Sequence, residues 1–414
     1  MIRKITLFIA AGVFFCIKSF GQLPSSADEV SNHSDSSIHK KEVRQKDMGE
    51  VVNHWLHPSK PLPPDTATKN DTRKHFSFVP AVGYTLQTGF AGIVSGNMAW
   101  NTDTTADNKV SSVNTNFTYS QYRQTIIPFQ ANIWTKGNKY NIITDLRYIN
   151  YPSDIYGLGG RTDPNKGHTI DFSGIKIHQT VMKNLSANFY AGLGFYFDKF
   201  WNVEAIDSLS RGLNIRLEKV LGKEETASGI VGRFVYDSRL NQINPQQGVY
   251  FNITYRDNLR TLGSDSNWQS ILIDSRMYVH FPKRSNNVLA FWMMDWLTTA
   301  GTPPYLLLPS TGWDDNYNTG RGYIQGRFRG NNMVYFESEY RFGITRNGLL
   351  GGVAFVNLQH FSGEISSEYD KIFPGYGAGL RLKLNKHSGA NLAVDYGFGL
   401  NGSKGFFVNL GEVF

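Results

Sequence analysis

From residue 74 to the last residue, hydrophobic and polar positions alternate with period two. They do so in segments of roughly 9 to 14 residues separated by turn chemistry, the pattern of strands rather than helices. Residues 271–281 set Leu272, Asp274, Arg276, Tyr278 and His280 against Ile271, Ile273, Met277, Val279 and Phe281. Residues 333–344 set Tyr335, Glu337, Glu339 and Arg341 against Val334, Phe336, Ser338, Tyr340 and Phe342. Near the end, Arg381 and Lys383 oppose Leu380, Leu382 and Leu384, and Asp395 opposes Val394 and Tyr396. A charged row facing an apolar row is hard to place in a soluble core. It fits a barrel with a polar lumen and an apolar outer wall.

Sixteen strands are predicted, an even number, near residues 78–85, 91–100, 111–122, 126–135, 140–148, 169–181, 187–200, 230–239, 249–256, 271–281, 288–298, 333–344, 349–361, 376–384, 391–398 and the C-terminal segment ending at 414. Every second connection is short: 101–110, 136–139, 183–186, 240–248, 282–287, 345–348 and 385–389. The alternate set holds the long ones, 149–168, 201–226, 257–267, 299–332 and 362–375. A sandwich has no reason to segregate loops this way, whereas an outer-membrane barrel has short periplasmic turns and long external loops. The expected fold class is therefore all-β, a transmembrane antiparallel β-barrel over residues 76–414. An aromatic content of 14% can supply its interfacial girdles.

The first 75 residues differ in texture. Residues 1–21 carry Arg3 and Lys4, an apolar run from Ile5 to Ile17 and the small-x-small ending Ser19-Phe20-Gly21, which reads as a signal peptide cleaved near Gly21/Gln22. The run is too short for a spanning helix, which needs about 20 residues. Loss of Arg3, Lys4 and Lys18 takes the formal charge from +8 to +5. The single cysteine, Cys16, leaves with it, so disulfides and thiolate metal sites are not expected. Residues 22–75 read as a polar, disordered periplasmic tail with room for a short helix around 48–56. His33, His39, His54 and His57 lack the spacing of a metal site.

Three local patterns make residues 76–414 resemble the BamA/TamA-type assembly barrels, also called the bacterial surface antigen family. The long loop carries Arg321-Gly322-Tyr323, similar to the family's Arg-Gly-Phe/Tyr tip. Asp237-Ser238-Arg239 followed by Asn244-Pro245 and Gly248 resembles its Asp-x-Arg…Asn-Pro-x-x-Gly periplasmic turn. The sequence given finishes on an aromatic with alternate apolar residues, Phe406, Val408, Leu410 and Phe414, like the family's C-terminal insertion signal. The resemblance implies that the long loop folds into the lumen and that Arg321 pairs with Glu339. The family's second acidic partner is replaced by Asn357, leaving the arginine one charged and one neutral partner. Substrate-handling members carry periplasmic POTRA modules, for which residues 22–73 are too short and too polar.

No nucleophile and base converge, so the expectation is a non-enzyme without cofactor or metal. Gly157-Leu158-Gly159-Gly160 lacks the spacing and following helix of a phosphate loop and reads as an external turn. No basic aromatic motif suggests nucleic acid. Three function classes stay open: a barrel that assists outer-membrane protein insertion or translocation, a passive channel or structural surface barrel, and an accessory that recruits a periplasmic partner. The partners expected are outer-membrane lipid and either client proteins or that periplasmic partner, around a monomeric barrel. Pro80 and Gly83 weaken the first strand's hydrogen bonding, so its seam with the last strand should open easily. Protease added to cells should reach residues 201–226 or 299–320, and removing Arg321 should free the long loop.

Overall fold

The computed structural model describes residues 44–58, 72–85, 88–104, 108–206, 221–363, 371–386 and 388–414. The segment expected as a signal peptide and most of the stretch expected as a tail lie outside the described residues. Strands follow in chain order: β1 (His75–Thr85), β2 (Gly89–Asn101), β3 (Val110–Ser120), β4 (Thr125–Trp134), β5 (Tyr140–Asn150), β6 (Ser153–Ile155), β7 (His168–Ser186), β8 (Phe189–Ala205) and β9 (Glu225–Asp237). The second half holds β10 (Gly248–Asn258), β11 (Trp268–His280), β12 (Val288–Gly301), β13 (Asn332–Gly343), β14 (Leu350–Ser362), β15 (Ile372–Lys383), β16 (Asn391–Phe398) and β17 (Lys404–Leu410).

Each long strand pairs antiparallel with the next, from β1 through β17, with β5 meeting β7 directly. The three-residue β6 is an addition at the end of β7, too short to be seen as an alternating segment. Cα atoms of β1 and β17 come within 8 Å, which closes the ring. Among the described residues, β1 forms a ladder with β2 and β17 with β16, and none joins β1 to β17.

Burial confirms the inverted pattern. Glu337, Glu339, Asn357 and Gln359 are fully buried on β13 and β14, while their neighbours Phe336, Val356 and Leu358 are exposed. An exposed apolar wall over a buried charged interior is stable only if the wall faces lipid, where pairing between neighbouring strands satisfies the backbone groups everywhere but along the β1–β17 edge. Short turns gather at one end and long connections at the other. Within the stretch expected as tail, Met48–Leu56 forms a helix, α1. Asp47 caps it, accepting from the Glu50 N–H at 2.9 Å. Glu50 also pairs with Lys386 at 2.9 Å, tying α1 to the short-turn end between β15 and β16.

Candidate functional site

The connection between β12 and β13, residues 302–331, folds back inside the barrel, and nearly all its residues from 303 to 331 are buried or half-buried. Local hydrogen bonds shape it. Asp314 accepts from the backbone N–H groups of Asn316, Asn318 and Thr319 at 2.7 to 3.2 Å. Burial nonetheless lifts its carboxyl above the ordinary range. Gly322 takes a left-handed φ of +109°, and a Cβ there would lie 2.5 Å from the Phe398 carbonyl. Only glycine fits this bend.

At the tip, Arg321 is 1% exposed. Its guanidinium pairs with Glu337 and Glu339 on β13 and, at 2.5 Å, with Asp395 on β16. It also stacks 3.7 Å above the Phe355 ring. Asn357 touches the same residue differently, donating from Nδ2 to the Arg321 backbone carbonyl at 2.8 Å. The expectation of one charged and one neutral partner is thus corrected, because the guanidinium holds three carboxylates and the amide holds the backbone. Arg341 and Arg381 complete the cluster, bonding Glu339 and Asp395 at 2.7 and 2.5 Å. Three guanidiniums therefore face four carboxylates, Glu412 being the fourth.

Tyr323 fixes the far side of the tip. Its hydroxyl donates to the Pro374 carbonyl at 2.6 Å and accepts from the Leu400 N–H at 2.9 Å. The floor below is built of small residues, since a Cβ on Gly375 would stand 2.5 Å from the Arg321 carbonyl. Sequence reasoning missed Glu337 and Asp395 as partners, although the alternation had already placed each on a charged face.

Arg321 is not the only tether. Arg147 on β5 donates to the Asp315 carbonyl at 2.5 Å, and Trp313 packs edge-on against Tyr151 at 5.5 Å. Arg327 donates to the Thr162 carbonyl at 2.7 Å, and the Gly159 N–H donates to the Arg329 carbonyl at 2.7 Å. The Gly157–Gly160 turn is therefore a clasp over the lumen loop. With residues 303–331 largely enclosed, the expected external protease site at 299–320 narrows to its exposed start, residues 299–302.

The other two patterns fall at the short-turn end. Asp237 and Arg239 form a two-pronged pair at 2.9 and 3.2 Å. Asn244 donates to the Gly389 carbonyl at 3.1 Å, Pro245 is buried and Gly248 opens β10. The turn thus reaches across to the β15–β16 connection. At the last strand, Phe406 and Leu410 face outward and Val408 is half-buried. Phe414 does not share their face. The chain turns inward after Leu410, Phe414 is 3% exposed against Trp292 and Tyr278, and Arg341 donates to its backbone oxygen at 3.0 Å. Asn318 of the lumen loop donates to the Val413 carbonyl at 2.6 Å, holding this turn in place.

Comparison with known proteins places this geometry. BamA from Haemophilus ducreyi lacking POTRA domains 1-3 aligns with a TM-score of 0.50 at 15% identity, over 81% of this chain and 70% of that one. CdiB from Acinetobacter baumannii aligns at 0.51 and 13% identity, and CdiB from Escherichia coli at 0.53 and 11%. Each covers 81% of this chain, which spans 60% and 62% of those two proteins. These likenesses concern the fold. No curated protein matches the sequence. The family model described as the Omp85 superfamily domain matches residues 109–414, and the chain belongs to that superfamily of outer-membrane barrels.

Proposed function

We propose that this barrel assists the insertion or translocation of outer-membrane proteins, opening between β1 and β17 to admit client strands. The observation that carries the reading is the length of β17. A strand crossing the bilayer needs about 9 to 11 residues, and β17 offers seven before the chain turns into the lumen. β1 has eleven, including Pro80, which cannot donate to a ladder. Unpaired strand groups facing lipid cost several kcal/mol each, so such an edge favours an incoming strand that would pair with it. Cleavage near Gly21/Gln22 would release the chain for this location.

A plain pore gains nothing from a weak seam, and the enclosed lumen loop stands in its way. The test is reconstitution in liposomes with a urea-unfolded outer-membrane barrel as client. Folding of the client, read by protease resistance, should be faster than in empty liposomes. Ion conductance with no gain in client folding would replace this reading with the passive channel.

A further inference from the structure

Four connections meet at the short-turn rim around a cavity of about 380 Å³ lined by Asn108, Lys109, Asn138, Asn188, Tyr190 and Arg239 among others. Two cations in its lining, Lys109 and Arg239, share one carboxylate set behind it. Arg239 grips both oxygens of Asp237, while Lys109 Nζ donates to the Asp237 backbone carbonyl at 2.5 Å and stands 3.8 Å from its carboxylate. Lys109 and Arg239 are each 7% exposed and Asp237 is 2% exposed, so one buried carboxylate serves two buried cations. Arg276 nearby already has a carboxylate of its own, Asp274, at 2.7 Å.

The faces of Trp134 and Tyr190, 4.9 and 5.4 Å from Lys109 Nζ, soften this charge without cancelling it. Burial, helped by Arg239 and opposed by Asp237, holds the Lys109 ammonium below its ordinary value. None of the described residues lining the cavity is acidic, and its other polar groups are chiefly amides. A buried surplus of positive charge is costly unless something pairs with it, and the cavity has the size of a small-ligand site.

We propose that this rim cavity binds a phosphate-type oxyanion, with Lys109 as its charged anchor and the surrounding asparagines as donors. A phosphate group suits it better than a carboxylate, because its oxygens can accept from an ammonium and several amides at once. The exposed Leu240 lines the cavity, and the exposed Leu185 follows its lining residue Asn184 in sequence, so the phosphate can belong to a lipid headgroup as well as to free phosphate. The inference is independent of the insertion reading.

The test uses the full chain in phosphate-free, low-salt detergent. One arm titrates inorganic phosphate calorimetrically. The other measures retention of phosphatidylglycerol, against an uncharged glycolipid, by native mass spectrometry after extraction from vesicles. Lys109→Met leaves a balanced Asp237–Arg239 pair and should weaken binding by about tenfold or more, whereas Lys109→Arg should retain it. Asn188→Asp puts an acid on the rim at a left-handed position that both residues tolerate, and should abolish binding even if Lys109→Met fails to fold. Phosphatidylglycerol retention without phosphate binding assigns a headgroup, and phosphate binding that displaces no lipid assigns the free ion. Absence of binding in both arms, or equal binding by wild type and Asn188→Asp, overturns the proposal.

Discussion

Arg321 reaches Asp395, Nη1 to Oδ2 at 2.5 Å, and so ties the loop ahead of β13 to the strand before the last. The same guanidinium holds Glu337 and Glu339, which makes it the hinge of a buried network rather than half of one pair.

Arg321→Ala leaves four buried carboxylates facing two guanidiniums. The expected cost is on the order of 3 to 5 kcal/mol, the penalty for stranding buried charge, read as a lower midpoint for heat-modified gel mobility. Arg321→Lys should recover only part, because one ammonium cannot span three carboxylates. A charge swap of Arg321→Glu with Glu339→Arg should not rescue, since the new glutamate would face Glu337 and Asp395. A lysine variant as stable as wild type would contradict the network.

Gly375→Ala forces a methyl against the Arg321 carbonyl. It should cost about 1 to 3 kcal/mol by overpacking. Gly232→Ala on β9, where a Cβ meets nothing within 4 Å, is the matched control and should stay near wild type. Equal midpoints for the two would show that the tip does not press on β15.

Protease on intact cells should cut the connection between β8 and β9 and spare residues 303–331. Arg321→Ala alone should leave that protection in place, because Arg147 and the aromatic packing of Trp313 persist. Arg321→Ala combined with Trp313→Ala, the latter costing about 3 to 5 kcal/mol by itself, should expose the loop. Cleavage in the single Arg321 variant would show that the second anchorage is idle.

Much of the barrel was legible because lipid outside and polar groups inside impose a period of two on every wall residue. The face carrying Glu337 and Glu339 on β13 follows from that rule alone, and so does the lumenal side of Asp395. Alternation says nothing about what crosses the lumen, so the meeting of Arg321 with Asp395 needed the closed ring. β6 was missed because three residues cannot show a period. Phe414 was misplaced because the strand pattern was extended through Gly411, whose left-handed φ of +96° lets the chain turn inward. Lys109 carried no signal, since a lysine beside a turn is ordinarily solvated.

The central claim is that the β1–β17 seam opens during client insertion. Cys16 is the only cysteine in the sequence, so pairs stepped along β1 and β17 can be crosslinked cleanly once it is absent. The decisive measurement is client folding in liposomes with the seam oxidised and then reduced. The seam account predicts that the crosslinked barrel loses its acceleration of client folding and that reductant restores it. Full acceleration by a completely crosslinked barrel would contradict it.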